Sequence, residues 1–393
     1  MKAVIFGAGN IGRGFIAPLF SFDGWNVTFV DVSKPVVEQI QKDGKYPLRI
    51  VSNEGTKVLS VENVSAVDGN DVEAAVSAIA NADIAVTCVG AKAIKFILPN
   101  FSKAVKRRYA EGKTTDLLIC ENLMDADSYV HDLLGSTLTA EELESVGLVE
   151  TSVGRMVPVL KGEKENPLEI AVEEYGVLPV DKGAFKGNVL NVKNIVPFEP
   201  FRYYVERKLY IHNMGHAICA YLGSALYGDE FIWQSVSRPE VRLAIQNAMT
   251  ESAMALSKKY SVPFEPIMEH VWDLIRRFGN KALGDTCLRV GADIPRKLSR
   301  ADRLIGAAEN VISEGSEPVF VALGIACALF TYVKENPKKT ADTALTELSS
   351  LKAGDPVFDL AMKFYPAFES GASLSDIISL ADKIKKDLSG MIV

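Results

Sequence analysis

The chain of 393 residues has only four histidines and three tryptophans, and its five cysteines, at 88, 120, 219, 287 and 327, include no CxxC pair. An odd, scattered set of thiols argues against a disulfide framework and fits a reducing, cytosolic setting. There is no basic excess: net charge is −7 with a pI of about 5.4. That argues against a nucleic-acid surface, which needs a positive field or stripe, yet leaves room for a small anionic substrate held by a few local cations. No apolar run approaches the ~18 residues of a membrane span. No leader is expected either, because MKAVIFGAGN passes from strand to glycine turn at once. Repeats, low-complexity tracts and a heptad seam are absent from the pattern, so nothing points to a solenoid or a coiled-coil oligomer.

What is present divides in two. Over the first ~120 residues, short β-branched runs at Ala3–Phe6, Val27–Val30, Ile84–Val89 and Leu117–Cys120 alternate with helical patterns. That is the signature of a parallel, doubly wound α/β sheet. Two further runs, VGLVETSV and NPLEIAVEEYGVLP, read as strands extending the same sheet. The proline-bearing stretch NVKNIVPFEPF then interrupts the pattern, and from Arg202 the sequence reads as helix after helix. The expectation is a Rossmann-type nucleotide-binding domain over 1–193 and an all-α substrate domain over 194–393.

The sharpest local motif is Gly7-Ala8-Gly9-Asn10-Ile11-Gly12, with a strand running in and a helix running out. In that setting Gly7 makes the tight turn, Gly9 lets backbone approach a pyrophosphate, and Gly12 lets helix and strand pack closely; the phosphates rest on free N–H groups at the helix start. The next strand ends in Asp31, nineteen residues after Gly12, with no arginine beside it. A carboxylate there holds ribose hydroxyls and repels a 2′-phosphate, which favours NAD over NADP. A structural glycine turn with a surface aspartate is the simpler alternative, and it does not explain the order strand, turn, helix, acid. Val89 and Gly90, after a later strand, fall near the same crevice, although a packing glycine explains Gly90 almost as well.

A second motif is VERKLYIHNMGHA, residues 205–217. At about 100° per residue, with Lys208 at zero, His212 lies near 40°, His216 near 80° and Asn213 near 140°. Four polar groups thus share one face, while Val205, Leu209, Ile211, Ala220 and Leu222 lie opposite. A lysine whose pKa is lowered by burial is a plausible general base, and the Asn and His can donate to a reacting oxygen. A solvated polar face competes with this reading. So does a metal site, given the i, i+4 histidines. But Asn213 stands where an HExxH motif has its glutamate, and only His131 and His270 remain to supply a third ligand.

These motifs are similar to those of the polyol-specific long-chain dehydrogenases. The resemblance runs through FGAGNIGRGFI, Cys120-Glu121-Asn122, VERKLYIHNMGHAICAYLG, RFGNKALGD, RVG and RKLSRADRL, and so spans nearly the whole chain. It implies that Lys208 is the general base, that Asn213 and His216 place and polarise the reacting oxygen, and that Asn122 contributes from the nucleotide domain. It also implies a metal-free, reversible hydride transfer between mannitol 1-phosphate and fructose 6-phosphate with NAD, in a monomer. One departure stands out. In Ser152-Val153-Gly154-Arg155-Met156-Val157-Pro158, Gly154 takes the place of an expected acid that contacts the substrate, which opens the alternative of another polyol or a hexuronate; Glu150 could compensate. A non-catalytic NAD sensor is the reading from another class. For the substrate phosphate, the basic group Arg289, Arg296, Lys297, Arg300 and Arg303 is the candidate, with Arg296, Lys297 and Arg303 foremost. A charged helix start explains the same residues.

Overall fold

The computed structural model describes residues 1–158 and 166–390. The chain divides into two compact units, one from Met1 to Tyr204 and one from Val205 on. In the first, six strands form a parallel sheet: β1 (Lys2–Phe6), β2 (Asn26–Asp31), β5 (Val64–Asp68), β6 (Ile84–Thr87), β7 (Thr115–Ile119) and β8 (Val146–Glu150), in the order β5-β2-β1-β6-β7-β8. Counted along the sheet alone this is 3-2-1-4-5-6, the doubly wound order whose direction reverses between β1 and β6. Alternation along β1 explains why both faces are covered. Ala3 and Ile5 enter one apolar cluster and Val4 and Phe6 the other, all four at most 2% exposed.

Three strands escape the simple α/β pattern. β3 (Tyr46–Ser52) and β4 (Gly55–Val61) make an antiparallel hairpin inserted before β5. β9 (Ile170–Val172) pairs with β3, and β10 (Leu178–Asp181) pairs with β11 (Ile195–Phe198). Of the two late runs, then, only the first extends the main sheet, as β8. The second does not: its apolar side chains Ile170, Val172 and Leu178 join the core on one face of the sheet instead of lengthening the edge. A Cβ at Gly14 would lie 3.1 Å from Val172 and 3.2 Å from Ile170, which shows how closely the first helix sits on β9. Because β11 is bonded to β10, the chain past 193 stays with the first unit.

The second unit is helical. Helix Val319–Glu335 is buried from Val319 through Leu329, as its apolar composition on all sides requires. Packed with it are Met214–Tyr227, Pro239–Tyr260 and Pro356–Glu369. Among the described residues no helix is long and apolar enough to cross a membrane.

Candidate active site

At the carboxyl end of β1 the backbone of Gly7 has φ +96°, and a Cβ there would lie 2.6 Å from the carbonyl oxygen of Cys88, after β6. A Cβ on Gly12 would overlap the carbonyl oxygen of Gly7. Above Gly9, by contrast, a side chain would meet nothing within 4 Å. Gly9 and Asn10 are exposed and Ile11 is half-buried, at the start of the helix. Asp31 ends β2, with Oδ2 accepting from Ala8 N at 2.6 Å and Oδ1 from Ser33 N at 2.8 Å. Each carboxylate oxygen retains a lone pair for a ribose hydroxyl. Open room at Gly9, a helix start with no side-chain cap and a carboxylate at the end of the second strand together suit a dinucleotide.

Two residues of this site have no role assigned from the sequence. Arg13, 8% exposed, donates through Nε to Ala8 O at 2.6 Å and through Nη1 to Leu168 O, and so clamps the loop from inside. Its signal was a cation within the otherwise apolar IGRGFIAPLF. Glu121 accepts from the N–H of Val89 at 2.9 Å and from that of Gly90 at 2.8 Å. Burial pushes its carboxyl above the usual range, and these hydrogen bonds oppose the shift. The bend that holds Val89 and Gly90 (φ +89°) is therefore set by an acid on the next strand's end. Asn122 follows it, exposed, in the first unit.

In the second unit, Lys208–Asn213 is a π-helical turn between α-helices Arg202–Arg207 and Met214–Tyr227. Constant rotation of 100° per residue does not apply there. A π turn closes on i→i+5 hydrogen bonds and is wider than an α turn, so Asn213 swings less far from Lys208 than α geometry would put it. From Leu209 to Gly223 every residue is buried except Asn213 and His216. His212 leaves the open face: it is 7% exposed, its ring 5.9 Å from that of Phe278. Burial, with the charges of Arg277, His216, His270 and Lys208, holds it far below the usual imidazole range, hence neutral.

His216 is fixed from two sides. Its ring stacks on Phe278 with centroids 4.6 Å apart and planes within 8°, and its Nε2 lies 3.2 Å from Asp285 Oδ2. The other oxygen of Asp285 pairs with Arg289. RFGNKALGD thus supplies both the stacking ring and the carboxylate. Among the described residues no three His, Cys, Asp or Glu side chains cluster as a metal site would need.

The structure distributes the basic group instead of concentrating it. Arg296 pairs with Asp293 at 2.6 Å and Asp302 at 2.8 Å, and Arg303 shares Asp302 at 2.7 Å. Arg300 turns to Glu309 at 2.8 Å. Lys297 is 4% exposed, and burial, reinforced by Arg303 and Arg296, pushes its ammonium down to about 8. At Gly154 a Cβ would stand 3.3 Å from the ring of Tyr175, so an aromatic side chain borders the position of the missing acid. Glu150 accepts from Ala126 N at 2.9 Å, at the start of helix Ala126–Leu134.

A doubly wound sheet with a glycine-rich turn at its switch point and an acid closing the second strand defines a dinucleotide-dependent dehydrogenase. The chain belongs to the mannitol dehydrogenase family: residues 1–194 match the mannitol dehydrogenase Rossmann domain and 201–355 the mannitol dehydrogenase C-terminal domain. It is an oxidoreductase with NAD as cofactor. A mannitol-1-phosphate 5-dehydrogenase of Caldanaerobacter subterraneus subsp. tengcongensis is 36% identical over 345 residues, 86% of this chain and 88% of its relative. One of Thermoanaerobacter pseudethanolicus is 35% identical over 343 residues, with the same shares. Among solved structures, a substrate-free D-sorbitol dehydrogenase shares the fold with a TM-score of 0.75 at 16% identity, over 93% of each chain. Pseudomonas fluorescens mannitol 2-dehydrogenase, solved with NAD and D-mannitol, does so with 0.66 at 14%, over 98% of this chain and 94% of that one.

Proposed function

We propose that the protein interconverts mannitol 1-phosphate and fructose 6-phosphate. The observation that supports this reading is the π turn, which carries Lys208 and Asn213 on a segment whose only other opening, as far as Gly223, is His216. The names of the two bacterial relatives supply the substrate. Bound NAD supplies the hydride acceptor. Lys208 takes the proton from the hydroxyl being oxidised. Asn213 and His216 place and polarise that oxygen as it becomes a carbonyl, and Asp285 with Phe278 keeps the imidazole in place. Asn122 is assigned to catalysis on the resemblance. Lys297, aided by Arg296 and Arg303, holds the phosphate, because a buried ammonium is stabilised by an anion. The reaction requires no metal in this scheme, since Lys208 supplies the base. All five cysteines are free thiols, which suits a cytosolic enzyme, and we take it to act as a monomer.

Gly154 beside Tyr175 favours a second reading, in which a different polyol or a hexuronate is the substrate. A panel of hexitols, hexitol phosphates and hexuronates, assayed by NADH formation, separates the two. A protein that binds NADH but turns over none of them is a sensor, and both readings fail.

A further inference from the structure

Past Ile119 and Glu150, the last pair of the β7–β8 ladder, one strand leads into Asn122 and the other into Gly154. Gly154 therefore follows the carboxyl end of a sheet strand, the end at which ligands of doubly wound folds bind. Its segment is fastened on both sides. Thr151 Oγ1 donates to Ile119 O at 3.0 Å, and Ser152 N donates to Pro179 O at 3.0 Å. Buried Arg155 donates to Glu173 O through Nε at 3.0 Å and Nη2 at 2.8 Å. Its Nη1 donates at 3.2 Å to Gly14 O, in the helix after the glycine turn. Met156 N donates to Glu173 Oε1 at 2.6 Å. The two segments thus run side by side in fixed register, with Gly154 and Tyr175 between the two sets of bonds.

One side chain stands in for another here. A Cβ at Gly154 would lie 3.3 Å from Cε1 and 3.8 Å from Oη of Tyr175. A side chain at 154 would leave the backbone toward the phenol edge that carries the hydroxyl. An acid at 154 and the half-buried ring at 175 compete for the same room, and in this chain the ring has it. A phenol hydroxyl both donates and accepts, so it can hold a substrate hydroxyl while serving another partner. It does so without the negative charge of a carboxylate.

We propose, resting on the substrate reading above, that Tyr175 is a specificity-determining residue that binds substrate, its hydroxyl taking the place of the acid absent at 154. The exchange suits an anionic six-carbon substrate, a hexitol phosphate or a hexuronate, because a carboxylate at 154 would repel such a ligand and a phenol does not.

The test is steady-state kinetics of the full chain on mannitol 1-phosphate and mannitol with NAD and on a hexuronate with NADH. Tyr175→Phe keeps the ring against Gly154 and removes only the hydroxyl. It should raise the KM for the substrate that wild type prefers roughly five- to tenfold, with kcat and the KM for the cofactor near their wild-type values. A second comparison restores the acid in the room the ring vacates. Gly154→Asp/Tyr175→Ala, set against Tyr175→Ala alone, should lower kcat/KM for the anionic substrate severalfold relative to mannitol. A wild type that prefers the hexuronate ends the mannitol 1-phosphate reading, and Tyr175 is then judged on the hexuronate. Three results overturn the proposal: a wild type that prefers mannitol itself or turns over none of the three, a Tyr175→Phe enzyme whose substrate KM is unchanged or whose cofactor KM rises in step, and a preference for the anion that the restored acid leaves untouched.

Discussion

The backbone N–H of Ala8 donates to Oδ2 of Asp31 across 2.6 Å. The acid at the end of the second strand therefore ties down the glycine loop as well as facing the place where a ribose belongs. Asp31→Ala should remove both effects. The preference for NAD over NADP should narrow, because the repulsion of a 2′-phosphate is gone. The KM for NAD should also rise, by about tenfold if one charge-assisted hydrogen bond to backbone is lost. Steady-state kinetics with both cofactors decide it; a variant that keeps the full wild-type preference assigns cofactor choice to another residue.

Glu121 plays the corresponding part on the other side of the switch point, holding the N–H groups of Val89 and Gly90. In Glu121→Gln one acceptor oxygen becomes a donor and one of the two N–H groups loses its partner. A buried group left unpaired costs about 1–3 kcal/mol. NADH affinity by fluorescence titration should weaken by roughly tenfold or more on that scale, with the helical unit intact by circular dichroism. Unchanged affinity would make the Val89–Gly90 bend irrelevant to the cofactor.

Lys208→Ala should lower kcat on the order of 10²-fold or more, with NADH binding kept, as expected when a general base is removed from a site that stays assembled. Prolonged dialysis of wild type against a chelator should leave activity where it was. Near-normal turnover in Lys208→Ala moves the base elsewhere, and chelator inactivation reversed by zinc makes the enzyme metal-dependent.

The depressed ammonium of Lys297 gives a pH signature. Its pKa near 8 lies below that of a free lysine, so the cation is present below about pH 8 and lost above it. Because a phosphate is held by the charged form, kcat/KM for a phosphorylated substrate should fall as pH rises through 8. The free sugar should show no such fall, and Lys297→Met should abolish the inflection. kcat/KM reports groups of the free enzyme, so it is the parameter to plot. Parallel profiles for phosphorylated and free substrates would take Lys297 out of phosphate binding.

The glycine turn, its strand and helix, and the acid after it were legible because each has a local signature in a short stretch. Lys208, Asn213 and His216 were legible as a motif, but not their alignment: angular arithmetic assumes α geometry, and Lys208–Asn213 is a π turn. The first helix hides another, at Gly12–Ile16. The hairpin Tyr46–Val61 was missed because it sits as an insertion between two sheet strands, and β9 and β10 looked like sheet extensions because a strand's partner is not written in its own residues. The basic group misled by counting cations alone. Asp285, Asp293, Asp302 and Glu309 engage its arginines in ion pairs, leaving Lys297 as the buried one.

The central claim is that the Lys208 site acts on a phosphorylated hexitol. Its most direct test is kcat/KM with NAD for mannitol 1-phosphate against mannitol, in wild type, Lys297→Met and Arg296→Ala. Wild type should favour the phosphorylated substrate by on the order of 10²-fold, the worth of two charge-assisted hydrogen bonds at the weaker end. Lys297→Met should lose most of that advantage and Arg296→Ala part of it, both keeping the weak activity on mannitol. Equal wild-type efficiency for the two substrates, or an advantage untouched by both substitutions, would contradict the account.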